Sequence, residues 1–243
     1  LAEQEQRLER ALDTNREMSQ VVSHDLRGPL TSVMGYAELL RSALASPQPV
    51  LDKQLRYVQS IENNSRRIMS LADKLLDLHR LDQGGDVELA PLQPERIIQQ
   101  LADEMQVRAD QKHLALVLEL APGLPQLHTS EWMVREIAEN LLSNALKYTP
   151  EGGQVIVRLR PEGADLLLEV EDNGIGMSPE DQARLFTKFF RGGSREVRQE
   201  QGTGLGLALT RGMIDKLGGR VDVRSAPGQG SRFSVRLPLA AAS

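Results

Sequence analysis

Two glycine-rich segments in the C-terminal half restrict the folds open to this chain. The first, Asp172–Gly176, follows a run of alternating apolar residues at 166–170, which is typical of a half-buried strand. The second, Gly202–Gly206, opens a stretch with helical apolar spacing that continues to Gly218. Glycine permits a sharp turn against a flat ligand, and a helix N-terminus presents free N–H groups to an anion such as phosphate. Either segment alone also fits ordinary turn geometry, so a nucleotide site depends on what accompanies them.

The segment Glu136–Thr149 has helical spacing and places two amides on one side of the helix. Asn140 and Asn144 stand four residues apart, away from the apolar face. Two amide oxygens there suit Mg²⁺, which prefers oxygen ligands and keeps water or phosphate in its other positions. Lys147 would then meet phosphate charge, and Tyr148 would lie on a base. The alternative for either asparagine is a solvent-facing helix residue.

The order of these segments resembles the ATP-binding domain that sensor histidine kinases share with a wider group of ATPases and chaperones. Asn140–Thr149 resembles the asparagine box of that domain, and Asp172–Gly176 its first glycine box. Leu185–Arg191 resembles the phenylalanine box, and Gly202–Gly206 the second glycine box. Four motifs in the family's order and spacing make the resemblance specific. It implies an α/β sandwich that binds ATP.

The resemblance also implies a role for the matching residues. Asp172 would accept a hydrogen bond from the adenine amino group, and Asn144 would hold Mg²⁺ with help from Asn140. Lys147 and Arg191 would offset charge on the phosphates. The implied nucleotide-binding set is completed by other residues of the same motifs: Tyr148, Gly174, Gly176, Gly202, Thr203, Gly204, Leu205 and Gly206.

The N-terminal third has the pattern of two long amphipathic helices. A heptad-like repeat from Leu1 leads into an apolar stripe that ends at Leu44, and a proline-containing break follows at 45–49. A second stripe begins at Leu51 and ends near Gln83–Gly85. Such an antiparallel helical hairpin cannot bury its apolar stripe alone, so a dimeric four-helix bundle is expected.

His24 lies in this hairpin, on the face opposite Val22 and Leu26, and Asp25 follows it. An exposed histidine is by itself usually only a surface residue. The segment Ser23–Leu30, however, resembles the phosphoacceptor box of the histidine kinase dimerisation domain, and it precedes the ATP motifs as in that family. His24 would receive the phosphoryl group, because neutral imidazole is abundant at pH 7. Asp25 would fix its tautomer or accept its proton.

One position departs from the family pattern. Family members that also dephosphorylate their regulator often carry Thr or Asn four residues after the phosphoacceptor, and this chain has Gly28 there. Glycine has no side chain with which to orient a water molecule, so weak phosphatase activity is expected. The alternative is that Gly28 only relieves crowding beside Pro29.

Between residues 84 and 243 the pattern predicts the elements of an α/β sandwich with one mixed sheet and helices on one face. An edge strand is predicted at Val87–Leu89 and a helix from Pro94 to about His113. Further strands are predicted near 114–120, 155–159, 165–170, 221–223 and 233–237. The polar stretch from Gly192 lacks apolar periodicity and is expected to be a mobile lid over the nucleotide.

Composition narrows the function classes. A net charge of −5 argues against a nucleic-acid-binding protein, which usually carries a basic face. The absence of cysteine excludes a disulfide and a thiol nucleophile. No apolar run is long enough to span a membrane, and the chain begins inside a helical pattern. The expectation is a cytoplasmic fragment that reaches a membrane only through further N-terminal regions, if at all.

These patterns together predict a helical hairpin for dimerisation and phosphotransfer at 1–83 and an ATP-binding domain at 84–243. The expected function is ATP·Mg²⁺-dependent autophosphorylation of His24 in a homodimer, then transfer to an aspartate of a response-regulator receiver domain. An ATP hydrolase or chaperone-like ATPase is one alternative; Asn140 disfavours it, because such hydrolases have a glutamate there to activate water. The other is a non-catalytic dimer that uses ATP only as a ligand, or a bare coiled-coil scaffold, and the intact ATP motifs disfavour it.

Overall fold

The computed structural model describes residues 26–45, 50–82, 88–194, 197 and 202–239. The chain divides into two compact units, the helical unit at 1–78 and the sheet unit at 79–243. The heptad-like repeat before residue 26 lies outside the described residues, and so do His24 and Asp25. Most of the expected lid, which includes residues 198–201, lies outside them as well.

The described part of the helical unit contains the two predicted helices. Helix α1 covers residues 26–44, and helix α2 covers Leu51–Asp82. They contact each other as a hairpin: the rings of Tyr36 and Tyr57 have centroids 5.9 Å apart. Gln54 Nε2 donates to the carbonyl of Ala43 at 3.3 Å. Large apolar side chains nevertheless stay exposed along both helices: Leu30, Met34, Leu39, Leu44, Leu51, Leu55, Val58, Met69 and Leu76.

The sheet unit is built on a five-stranded mixed sheet. Its strands are β2 (Ala115–Leu120), β4 (Gln154–Glu162), β5 (Asp165–Asp172), β6 (Arg220–Ser225) and β7 (Ser231–Pro238). Their order is β2-β4-β5-β7-β6, with β2 parallel to β4 and the other neighbours antiparallel. A separate two-stranded sheet pairs β1 (Ala90–Leu92) with β3 (Leu127–Thr129).

The described helices of this unit are α3 (Pro94–Gln111), α4 (Glu131–Tyr148), α5 (Pro179–Arg184) and α6 (Gly206–Lys216). Local sequence signals mark the starts of α3 and α5, whereas α4 begins five residues before the predicted helical segment. Proline opens α3 and α5, where its missing N–H costs no helical hydrogen bond. Ser178 caps α5, because its hydroxyl accepts from the backbone N–H of Asp181 at 3.1 Å.

The two faces of the five-stranded sheet differ in character. On one face Leu166, Leu168 and Val170 of β5 join the apolar core that also contains α4 and α6 residues. On the other face Arg158 of β4 contacts three acids: Glu119 at 2.6 Å, Glu169 at 2.9 Å, and Glu171. This alternation is what a pleated strand produces when one side packs against helices and the other does not. The predicted helical region followed by an α/β sheet domain is confirmed.

The prediction was wrong for the first strand. Glu88 and Leu89 are not in a strand, and the pairing begins at Ala90, three residues later than predicted. The partner strand β3 was not predicted at all. Both strands have three residues, too few to show an alternation, and their pairing depends on a contact across about forty residues of sequence.

Among the described residues, no helix combines the length and apolar character that crossing a membrane would require.

Candidate functional site

The carboxylate of Asp172 lies at the end of β5 and is held by the backbone. It is 8% exposed, and its Oδ1 accepts from Gly174 N at 2.8 Å and from Ser231 N at 3.3 Å. Burial raises the pKa of this carboxyl above its usual value, although the two backbone hydrogen bonds oppose that shift. None of the described residues donates to Oδ2. The second oxygen is therefore available to a donor on a ligand.

The first glycine segment packs directly on the end of α4. Ile175 N donates to the carbonyl oxygen of Tyr148 at 3.2 Å. A Cβ added to Gly174 would lie 2.5 Å from the same oxygen, so any side chain there would push the segment away. The asparagine segment and the first glycine segment are thus in contact.

The second glycine segment meets α4 from another direction. Asn140 Nδ2 donates to Thr210 Oγ1 at 2.7 Å, which joins α4 to α6. A Cβ added to Gly206 would overlap the amide oxygen of Asn140, so glycine is required at the first residue of α6. The amide oxygen of Asn140 consequently lies beside the N-terminus of α6, where the helix dipole is positive.

Two further side chains project from α4 in the same neighbourhood. Asn144, one turn after Asn140, is half-buried and makes no hydrogen bond to the described residues. The ammonium of Lys147 lies 4.8 Å from the ring centroid of Tyr148. A Cβ added to Gly202 would come within 3.1 Å of that ammonium, so Lys147 stands at the start of the second glycine segment.

The phenylalanine segment contacts the second glycine segment through the backbone. Phe189 N donates to the carbonyl of Gly204 at 2.9 Å. Arg184 stacks over Phe190, with its guanidinium carbon 4.7 Å from the ring centroid. Arg191 is exposed, and its Nη2 donates to the carbonyl of Val197 at 2.9 Å.

The predicted residues do not all present side chains to the same space. Leu205 is fully buried, so only its backbone can face a ligand. Thr203 Oγ1 accepts from Leu205 N at 3.3 Å and shapes the turn before α6. The sequence reasoning missed Thr210, whose signal was a lone hydroxyl in an apolar helical run, and Ser231, which had no signal before the sheet pairing was known.

The donor set is sparse for a metal ion held by protein alone. Within the described ranges, no group of three or more His, Cys, Asp or Glu side chains is arranged to hold a metal. The oxygens of Asn140 and Asn144 are neutral amides. This set fits Mg²⁺ bound together with phosphate oxygens and water, since Mg²⁺ retains several such ligands.

Two family matches divide the chain in the same order as the motifs. Residues 2–84 match the His Kinase A (phospho-acceptor) domain, and His24 falls within that match. Residues 130–241 match the histidine kinase-, DNA gyrase B-, and HSP90-like ATPase family. The second domain is therefore an ATP-binding domain of that group. The chain belongs to the sensor histidine kinases and comprises their catalytic core.

Named relatives agree with this family. The circadian input-output histidine kinase CikA of Synechococcus elongatus is 35% identical over 221 residues, covering 89% of this chain and 29% of CikA. The chain thus spans less than a third of that relative. Full-length ShkA, solved in complex with AMPPNP, matches 93% of this chain and 46% of its own at 29% identity and a TM-score of 0.68. ThkA, solved with the response regulator TrrA, shares the fold at 19% identity and a TM-score of 0.71, covering 98% of this chain and 66% of that one.

Proposed function

We propose that this chain autophosphorylates His24 with ATP and passes the phosphoryl group to an aspartate of a response regulator. The observation that carries the proposal is the contact between motifs that lie far apart in sequence. Tyr148 touches Gly174, Lys147 stands beside Gly202, and Asn140 lies against the first residue of α6. Such contacts between distant motifs are expected of a nucleotide site, whereas a coiled-coil scaffold would not require them.

The nucleotide would be held from both ends. Asp172 Oδ1 already accepts two backbone N–H groups, whereas no described residue donates to Oδ2. Oδ2 is therefore the oxygen that would accept from the adenine amino group. Lys147 and Arg191 would offset phosphate charge, and the free N–H groups at the start of α6 would add to this. Asn144, with Asn140, would hold Mg²⁺. Bound ATP supplies the γ-phosphoryl group, and phosphoryl transfer depends mainly on positioning and charge.

The acceptor side of the proposal rests on residues 1–83, and the ATP side on 84–243. His24 falls in the phospho-acceptor match and is followed by Asp25, which would orient the imidazole or take its proton. The exposed leucines of α1 and α2 support a homodimeric four-helix bundle, because a single hairpin leaves them in water. The response regulator is proposed by analogy with ThkA, which was solved with one. A cytoplasmic location stays a prediction.

The test is to incubate the chain with γ-labelled ATP and to examine the label for acid lability, which marks phosphohistidine. His24→Gln should abolish this label, because an amide cannot be phosphorylated in the same way. It should leave ATP affinity within about twofold, since the ATP motifs lie in a different domain. His79→Gln, an exposed histidine of α2, is the matched control and should label normally. Acid-labile label on His24→Gln would refute the assignment.

A further inference from the structure

The turn between β6 and β7 encloses the first glycine segment. Gly228 N donates to the carbonyl of Ile175 at 2.7 Å. A Cβ on Gly176 would overlap the carbonyl oxygen of Ala226, and a Cβ on Gly230 would overlap that of Asp172. Both glycines have positive φ, 66° and 80°, which side chains disfavour. The two segments therefore meet backbone to backbone, with no side chain between them.

The hydroxyl of Ser225 lies at the centre of this contact. Its Oγ donates to Gly230 O at 2.8 Å and accepts from Met177 N at 2.8 Å. It also lies 3.0 Å from Ser231 Oγ. A hydroxyl has one proton, and that proton is directed at Gly230, so Ser231 must be the donor in the third bond. Ser225 thus uses its donor and both acceptor sites to join two backbone groups and the side chain of Ser231.

Gln182 of α5 braces the same junction from outside. Its Nε2 lies 3.0 Å from Ser225 O, 3.1 Å from Met177 O and 3.3 Å from Ser178 O. The start of α5, the end of the glycine segment and the end of β6 are tied to one amide. None of these residues belongs to the four ATP-binding motifs, so their expected role is indirect.

The same hydrogen-bond network reaches the carboxylate of Asp172, which is proposed to face the adenine base. Ser231, which donates to Ser225, also donates its backbone N–H to Asp172 Oδ1 at 3.3 Å. We propose that Ser225 is a positioning residue that determines base specificity: it fixes Asp172 against the adenine amino group by locking the glycine segment to the β6–β7 turn. The inference rests on the proposed adenine role of Asp172. It adds that selectivity among purines depends on a hydroxyl that does not touch the base.

The experiment compares ADP with inosine diphosphate, which has a carbonyl where adenine has the amino group. The 243-residue chain, with both of its domains, is titrated calorimetrically with each nucleotide. Ser225→Ala should weaken ADP binding by roughly 5- to 20-fold and inosine diphosphate binding by less than about twofold. The preference of the chain for ADP over inosine diphosphate should therefore become smaller. Gln182→Ala should narrow it in the same direction, and serves alone if Ser225→Ala does not fold. Ser234→Ala is the matched control, because its hydroxyl bonds Glu169 on the open face of the sheet.

Each outcome has a separate meaning. An equal loss for both nucleotides would mean that Ser225 is merely structural, and an unchanged preference in both variants would overturn the inference as well. In either case a wild-type chain that prefers ADP would leave the adenine role of Asp172 intact. A wild-type chain that does not distinguish the two nucleotides would instead contradict the proposed function of Asp172 itself, and the inference with it.

Discussion

The two units of this chain solve the problem of burial differently. The sheet unit encloses its apolar residues within one chain: Ile137, Val155 and Ile214 have no exposed surface. The described part of the helical unit does not, since Leu30 is 51% exposed and Leu55 is 56% exposed. A helix with a leucine stripe in water lacks the packing partner that a sheet covered by helices already has. In the proposed function, a second copy of the helical unit supplies that partner.

The largest effect is expected from charged substitutions in the apolar stripe of α1. Leu30→Glu combined with Val33→Glu should convert the proposed homodimer to monomers, because burying unpaired charge in a bundle core costs roughly 3 kcal/mol or more. This corresponds to dimer affinity lowered by more than about 100-fold. Light scattering over a concentration series measures it.

Val107→Glu supplies the control for this prediction. Val107 is 61% exposed, like the leucines, but belongs to α3 of the sheet unit. The same apolar-to-charged change there should leave the dimer intact. A double variant that still dimerises would place the interface outside α1.

The next effect concerns the sheet unit alone. Asp172→Asn should weaken ATP binding by about 1–3 kcal/mol, because an amide that turns its NH₂ to the adenine amino group leaves both donors unpaired. Dimerisation should not change. Calorimetry measures the affinity, with Glu171→Gln as control, since Glu171 pairs with Arg232 on the other face. Unchanged ATP affinity in Asp172→Asn would remove the adenine role.

Without nucleotide, the same substitution Asp172→Asn should stabilise the folded chain slightly, whereas it weakens ATP binding. Because burial raises the pKa of Asp172 in the folded chain, the folded state holds its proton more tightly than the unfolded state. Stability from this group is present below the ordinary aspartate pKa and is lost as pH rises through the raised value. At pH 7 the Asp172→Asn chain should thus unfold at higher temperature than wild type. Thermal scans from pH 3 to 7 should show the difference vanishing at the acidic end.

The smallest expected change lies in α1. Gly28 is exposed, and a Cβ there would meet no atom within 4 Å apart from its chain neighbours and the backbone of its own helix, so the helix tolerates a side chain. Wild type should dephosphorylate a phosphorylated regulator slowly in ADP and Mg²⁺, and Gly28→Thr should do so several-fold faster by orienting a water.

Gly35→Thr, in the same helix and equally uncrowded, should not change the phosphatase rate. Glycine destabilises a helix by roughly 1 kcal/mol relative to alanine, and both variants remove one. Any change in stability should therefore be similar in the two variants, and only the phosphatase rate should distinguish them. Rapid dephosphorylation by wild type, equal in Gly28→Thr, would show that the missing side chain is irrelevant.

How well sequence predicts structure here depends on the range of the interactions involved. The helices starting at Pro94 and Pro179 carry their signals locally, so their positions followed from proline and capping rules. The contact of Asn140 with Thr210 joins residues seventy apart, and no local pattern indicates which hydroxyl meets that amide. Ser225 is likewise an ordinary strand residue until the turn folds onto the glycine segment. The motif residues can be identified in the sequence, and their nucleotide roles stay a prediction, whereas Thr210 and Ser225, which contact or position them, could not be identified there.

The open face of the sheet constrains how this chain can vary. Arg158 contacts Glu119, Glu169 and Glu171, Arg232 also pairs with Glu171, and Arg236 joins Glu162 to Asp222. Loss of one arginine would leave fewer cations to neutralise the neighbouring acids, so the effects of substitutions within this network on stability should not be additive. Replacement of an arginine on this face should therefore be tolerated best when a neighbouring acid on an adjacent strand is replaced with it.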